Sequence, residues 1–188
     1  HFLASISNKN DLSDVDIFSI FPSSGVQLNP CLMKLKENVR IIMGKRIPKS
    51  IQDGIYPKNL LIRYKSTQKV EREERGCALH FDSLILNEAY RNRLEGKTIC
   101  IFDDYLTHGN SFEAARNLLK TQNVKKMIFM SIGNFGRPYL YQNYRIGGDV
   151  FKANGYSYKL IDRQYLNEGK RKIQARKEVE NLHDIFKL

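Results

Sequence analysis

Cysteine is scarce in this chain. Its three residues, Cys31, Cys77 and Cys100, are odd in number and widely spaced, and no C-x-x-C occurs. That excludes a disulfide framework and a sequence-local zinc ribbon, and it points to a reducing compartment, hence to the cytoplasm. Long apolar runs are missing as well. None approaches the ~18 residues that a membrane span requires, so no membrane partner is expected. No charged-then-apolar leader with a small-residue cleavage site is visible. The chain starts at His1 rather than Met, so it reads as a trimmed or partial chain. Repeats, low-complexity tracts and linkers are also missing. What is present is ordinary globular material: 188 residues, 41% hydrophobic and 27% charged, enough for a real core and against wholesale disorder. Acid falls short of base, with 20 Asp and Glu against 31 Lys and Arg, a net charge of +11. A pI near 9.6 predicts attraction to phosphates, nucleotides or nucleic acid. A well-solvated basic surface gives the same balance.

The pattern along the chain predicts an α/β domain. Residues 15–21 are β-branched and aromatic and read as a strand, stopped by Pro22-Ser23-Ser24-Gly25. Pro30 can open a helix whose inward face is Leu32, Leu35, Val39 and Met43, and Gly44 closes it. Residues 60–64 are a short strand candidate. Residues 65–76 are dense in charge and read as an exposed loop or a short solvated helix. Residues 83–94 carry helical spacing through Leu84, Ile85, Ala89 and Leu94. Residues 98–102 and 127–132 are nearly continuous apolar strands of the kind a parallel sheet covers on both faces, with a helix from Ser111 to Lys120 between them. Strand, loop, helix and strand recur with short links, which predicts right-handed crossovers in a parallel sheet. Beyond Gly133 the signal weakens. Residues 139–151 are aromatic-rich, residues 158–161 read as an edge strand, and residues 169–187 as a charged amphipathic helix.

One stretch carries chemistry. After the strand at 98–102 come Asp103-Asp104, then Tyr105-Leu106, then Thr107-His108-Gly109-Asn110-Ser111 at the start of a helix. The carboxyl end of a strand is where open α/β sheets bind ligands. A Gly-containing turn into a helix N-terminus cradles anions, because free backbone N–H groups converge there and the helix dipole favours negative charge. Two acids next to such a cradle suit a ligand carrying both hydroxyls and a phosphate, a ribose 5-phosphate. Read without that context, Asp103-Asp104 is a strand-end turn that caps the next helix.

The run resembles the phosphoribosyl pyrophosphate motif of type I phosphoribosyltransferases: an apolar strand, two acids, two apolar residues, then Thr-Thr-Gly-x-Thr. His108 stands where that family carries a second Thr or Ser, so one hydroxyl contact to phosphate is replaced by an imidazole. The order Leu61-Ile62-Arg63, Thr67-Gln68, Arg75, Phe81, Glu95-Gly96-Lys97 and then the acidic motif is similar to the ComF-like branch, over roughly residues 15–133. The zinc-binding amino-terminal segment of that branch is absent from this sequence. The resemblance implies a type I phosphoribosyltransferase-like fold, a mostly parallel twisted sheet flanked by helices. It divides the chain into a core over 1–133 and a carboxyl-terminal extension over 134–188, a hood or partner-binding segment within the same domain or appended to it.

The resemblance also implies the roles. Phosphoribosyl pyrophosphate or a nucleotide 5′-phosphate is bound with Mg²⁺, and a base is transferred or exchanged at ribose C1. Asp103 and Asp104 hold the ribose and act on the metal through the substrate. Thr107, His108, Gly109, Asn110 and Ser111 hold the 5′-phosphate. Ser23, Ser24 and Gly25 take the place of the pyrophosphate loop, though Pro-Ser-Ser-Gly is also an everyday turn. A basic loop is expected from Arg63, Lys65, Lys69, Arg72 and Arg75, diluted by Glu71, Glu73 and Glu74. Phe135, Arg137, Tyr139, Tyr141 and Tyr144 could stack on the base, or pack as core or subunit contact. ComF-like proteins are associated with DNA uptake in competent bacteria. The alternative is therefore a non-catalytic phosphoribosyl- or nucleotide-sensing module with a nucleic-acid or protein partner, in a competence or defence complex. The basic residues Lys170, Arg171, Lys172, Arg176 and Lys177 suit that alternative. A third expectation is an inert subunit of a larger oligomer or complex.

Overall fold

The computed structural model describes residues 12–46, 49, 52, 53, 56–66 and 76–166. Lys69, Arg72 and Arg75, and the helix expected over 169–187 with its basic residues, lie outside the described residues.

Strand β1 (Ile17–Ile20) leads through residues 21–29 into helix α1 (Pro30–Ile42). The Asn29 side-chain oxygen accepts from the N–H groups of Cys31 (2.9 Å) and Leu32 (3.3 Å). Pro30 occupies the first helical position, where a missing N–H costs nothing. Gly44, at φ +65°, ends the helix. Its N–H reaches Ile41 O (2.9 Å) while that of Lys45 reaches Arg40 O (3.1 Å), the paired bonds of a left-handed cap. Two short antiparallel pairs follow in the chain. They are β2 (Gln52–Asp53) with β3 (Tyr56–Pro57), and β4 (Leu61–Arg63) with β5 (Leu84–Leu86), helix α2 (Ala78–Phe81) preceding β5. Then come β6 (Thr98–Leu106), α3 (Asn110–Lys120), β7 (Lys126–Asn134) and an antiparallel hairpin of β8 (Tyr139–Gly148) and β9 (Tyr156–Leu166).

The expected α/β character is present. β1, β6 and β7 form a parallel three-stranded sheet in the order β1-β6-β7. Alternation along β6 divides the core. Cys100 and Phe102 pack with Leu32 and Val39 of α1, while Ile99 and Ile101 pack with Ala115, Leu118 and Leu119 of α3. Burying each of the Leu, Ile, Val and Phe side chains among them is worth about 1.5–3 kcal/mol. Cys100 behaves as the small hydrophobe expected, its thiol pushed up to about 12 by burial. β4 and β5 join this core without a strand ladder to β1. Instead the Asn59 carboxamide takes the place of a neighbouring strand: its oxygen accepts from Ile20 N–H (2.9 Å), and its nitrogen donates to Ile20 O (2.9 Å) and Leu61 O (2.7 Å).

Three elements differ from the sequence reading. Residues 83–94 are not a helix: they form β5 and a 3₁₀ turn, Glu88–Tyr90. Leu84 and Leu86 both point inward and Leu61 pairs with Leu86, so a two-residue period wins over the apparent helical one. β6 does not stop at the acids but stays paired with β7 through Tyr105↔Gly133 and Leu106↔Asn134. β7, expected to be fully covered, is half-buried and borders the sheet among the described residues, with Ile132 61% exposed.

The hairpin beyond residue 134 shares the main core. Val150, Phe151, Tyr144, Ile146, Tyr156 and Tyr158 pack into the same apolar cluster as α3. Its first strand docks on α3 through side chains that replace a partner strand. The Glu113 carboxylate accepts from Gln142 N–H (2.9 Å), Arg116 and Asn117 donate to Gln142 O (2.7 and 2.8 Å), and the Asn117 side-chain oxygen accepts from Tyr144 N–H (2.8 Å). No helix among the described residues is long and apolar enough to cross a membrane.

Candidate functional site

Because β1 and β6 run parallel, their carboxyl ends leave the sheet at one edge. Phe21 N–H still bonds Phe102 O (2.7 Å), so the loop after β1 and the acids after Phe102 emerge side by side. The two acids stay in contact: the Asp103 carboxyl accepts from the Asp104 N–H (2.9 Å) and interacts with the Asp104 carboxyl. Asp103 continues the Ile99–Ile101 row toward α3. The Asp103 carboxyl is hydrogen-bonded by the Ser111 side chain in the first turn of α3. Together with Tyr105, Thr107 and the helix start Gly109–Ser111 it lines a small, shallow, open hollow. Asp104 is exposed and its side-chain oxygen accepts from Tyr105 N–H (2.7 Å).

The hollow has the chemistry of an anion and hydroxyl site. α3 is 11 residues long, and the N–H groups of its first turn have no partner within the helix. Gly109 stands at its N-terminal boundary at φ +82°, left-handed backbone that glycine adopts without strain. A Cβ there would lie 2.2 Å from the Tyr139 ring, so the bend has room only for glycine. The Tyr139 hydroxyl donates to buried Glu113 (2.8 Å), which also takes Arg116 (2.6 Å), so the ring is clamped behind the bend rather than across the hollow. Burial pushes the Asp103 carboxyl up to about 7, and the Asp104 charge adds to the rise. At neutral pH this group is therefore poised between accepting and donating a proton.

Each expected site residue has a definite place. Thr107, Gly109, Asn110 and Ser111 line the hollow with Asp103. His108 braces the bend against the hairpin. Its Nδ1 lies 3.0 Å from Pro138 O, so that nitrogen carries the proton and donates, and its own carbonyl accepts from Leu140 N–H (2.9 Å). Ser23, Ser24 and Gly25 lie exposed in the loop after β1, and the Ser23 hydroxyl donates to Gln27 O (2.9 Å). Arg63 is 1% exposed and ties that loop down: its guanidinium donates to Ser23 O (2.6 Å), Pro22 O (3.5 Å) and the Ser83 hydroxyl, and lies 3.2 Å from His80 Nδ1. Burial lowers its pKa and the Asp103 charge partly restores it, so the two groups feel each other's field. Lys65 is exposed, its ammonium 5.9 Å from the Tyr64 ring centroid.

Of the aromatic stretch, Tyr141 lies against Arg116 (4.3 Å), and Tyr144 packs on Phe81 (5.0 Å). Arg137 is exposed, and Phe135 stacks on Tyr105 (4.9 Å). Two contributors were readable and missed. Tyr105 sits two residues from Asp103 and so on its face of the strand. Glu113 and Asn117 continue from the expected Asn110 a polar stripe at helical spacing on an otherwise apolar helix face. Among the described residues no three His, Cys, Asp or Glu side chains converge as a metal-binding group. No protein-family model matches the chain, and no curated protein matches it.

Proposed function

We propose that this hollow binds the phosphorylated ribose of phosphoribosyl pyrophosphate or of a nucleotide, and that the protein is phosphoribosyltransferase-like. The observation that carries the reading is the turn of Asp103 onto Ser111, which puts an acid and an N–H-lined helix start on one small polar hollow. Asp103 accepts from the ribose hydroxyls, the Thr107 and Ser111 hydroxyls and the amides at the start of α3 hold the 5′-phosphate, and Arg63 presents the loop of Ser23, Ser24 and Gly25 by drawing its carbonyls inward. In the transfer, a base nitrogen forms a bond to ribose C1 as the bond from C1 to pyrophosphate breaks, and pyrophosphate leaves with the electron pair. The chain contributes position and field rather than a covalent intermediate. Mg²⁺ would be held through the substrate phosphates with Asp103 as the one carboxylate beside them, and would neutralise charge on the leaving pyrophosphate.

The test is calorimetry with phosphoribosyl pyrophosphate and Mg²⁺ on wild type and Asp103→Asn. A loss of at least tenfold in affinity is expected, and equal heats overturn the site. Asp104 is not among the residues that line the hollow, and its side-chain oxygen is taken by Tyr105 N–H; this favours a second reading, binding without turnover. Base-dependent release of pyrophosphate decides between them. The net charge of +11 adds a nucleic-acid version of that second reading, which predicts affinity falling steeply with salt.

A further inference from the structure

Two long strands, β7 and β9, border a sheet among the described residues. β9 carries the features that keep an open edge from pairing. Lys159, Asp162 and Arg163 stand along it, and its register slips where the partner strand passes from Asn143 to Tyr144. Between Met127 and Gly133, β7 has no charge, no Pro and no register slip. Its run Met127-Ile128-Phe129-Met130-Ser131-Ile132 has the composition of a strand inside a covered parallel sheet, paired on both sides. β6 has those surroundings and buries every residue from Thr98 to Phe102, whereas no residue of β7 is fully buried and Ile132 is 61% exposed.

The order of residues along β7 is also self-complementary. Ile128 and Met130 pack toward α1, and Met127 and Phe129 toward α3, so alternation puts Ile132 on the first face and Ser131 and Gly133 on the second. We infer that β7 is the seam of a two-fold homodimer, pairing antiparallel with β7 of a second copy about Met130 and joining the two three-stranded sheets edge to edge. Toward α1, Ile128 then lies opposite Ile132 of the second copy, and Met130 opposite its own counterpart. Toward α3, large lies opposite small: Met127 against Gly133 and Phe129 against Ser131. Lys126 lies opposite Asn134, so no like charges meet directly across the seam although each chain carries +11. The pairing gives the outward backbone groups of β7 about one hydrogen bond per residue. An unrelated peptide strand would supply those bonds without this match of side chains, which is why the second copy is the occupant. The inference does not depend on what the hollow binds.

Sedimentation of the full chain from roughly 1 to 100 μM tests the seam. Wild type is expected to approach twice the 21.9 kDa of one chain. Ile132→Lys is expected to remain at the single mass, because the lysine would face Ile128 across the seam. Ile132 is exposed in the single chain, so this change leaves the core alone. A second measurement reads the register. Cys31 is exposed and is changed to Ser, while Cys77 and Cys100 are buried. In that background Met130→Cys meets its own counterpart at a Cα separation of about 4.5–5.5 Å, within disulfide range. Oxidation should join the two chains there, and Tyr165→Cys on the exposed β9 should leave them apart. The crosslink decides even where the lysine variant fails to fold. A wild type that stays monomeric, a dimer that Ile132→Lys leaves intact, or equal crosslinking at positions 130 and 165 overturns the seam.

Discussion

Replacing Asp103 by Asn should stabilise the protein above neutral pH while it weakens ligand binding. The carboxyl is held at about 7 against an ordinary 3.8, by burial first and by the Asp104 charge second. An acid raised in this way contributes stability that is fully present below its unfolded-state pKa and is lost as pH rises through the folded-state value. The window is therefore from 3.8 to about 7. Inside it the folded chain holds a proton that the unfolded chain has released, which lowers stability by at most about 1.36 kcal/mol per pH unit. From pH 5 to pH 7 the ceiling is ~3 kcal/mol, and solvent in the open hollow reduces the expectation to ~1–2 kcal/mol. Asn has the same shape and no charge, so urea unfolding of both proteins across pH 5–8 isolates the effect. The stability difference should move toward the variant by that amount between pH 5 and 7 and level off near pH 8. A difference that does not change with pH refutes the claim that Asp103 is buried against its own ionisation.

Four further outcomes follow from particular contacts. Gly109→Ala forces a side chain into left-handed backbone and against the Tyr139 ring, and should cost about 2–4 kcal/mol by thermal or urea unfolding. The double variant with Tyr139→Ala should recover only the clash. Glu113→Ala strips the carboxylate that receives Arg116, Tyr139 and Gln142 N–H, and should cost about 3–5 kcal/mol, with hydrogen exchange rising first in β8. Arg63→Ala leaves the carbonyls of Pro22 and Ser23 without their donor, so limited proteolysis should cut within residues 22–27 sooner than in wild type, and Arg63→Lys should restore only part of the protection. Asp104→Asn removes the second cause of the Asp103 shift, so the pH midpoint of the Asp103 titration, followed by carboxyl carbon resonance, should fall below about 7 but stay above 3.8.

The amino-acid order alone determined the central βαβ unit. Continuous apolar runs at 98–102 and 127–132, Pro30 and Gly44 at the two ends of α1, and Gly109 ahead of α3 are local signals, written in side-chain chemistry and backbone freedom at single positions. It also placed acids and a glycine bend where a strand gives way to a helix. It misread residues 83–94, because Leu84, Ile85, Ala89 and Leu94 fit a helical spacing while Leu84 and Leu86 fit a strand's, and only pairing with Leu61 selects the strand. The tertiary structure decided which acid serves the hollow. That follows from the face of β6 that α3 covers, and so from packing across the sheet rather than from the Asp-Asp pair itself. It likewise converted Arg63 from an expected loop cation into a buried tie, and set Phe135 of the aromatic row against Tyr105. These choices depend on long-range partners such as Ser23, Glu113 and Gly133, whose distance in sequence hides the contact until the chain has folded.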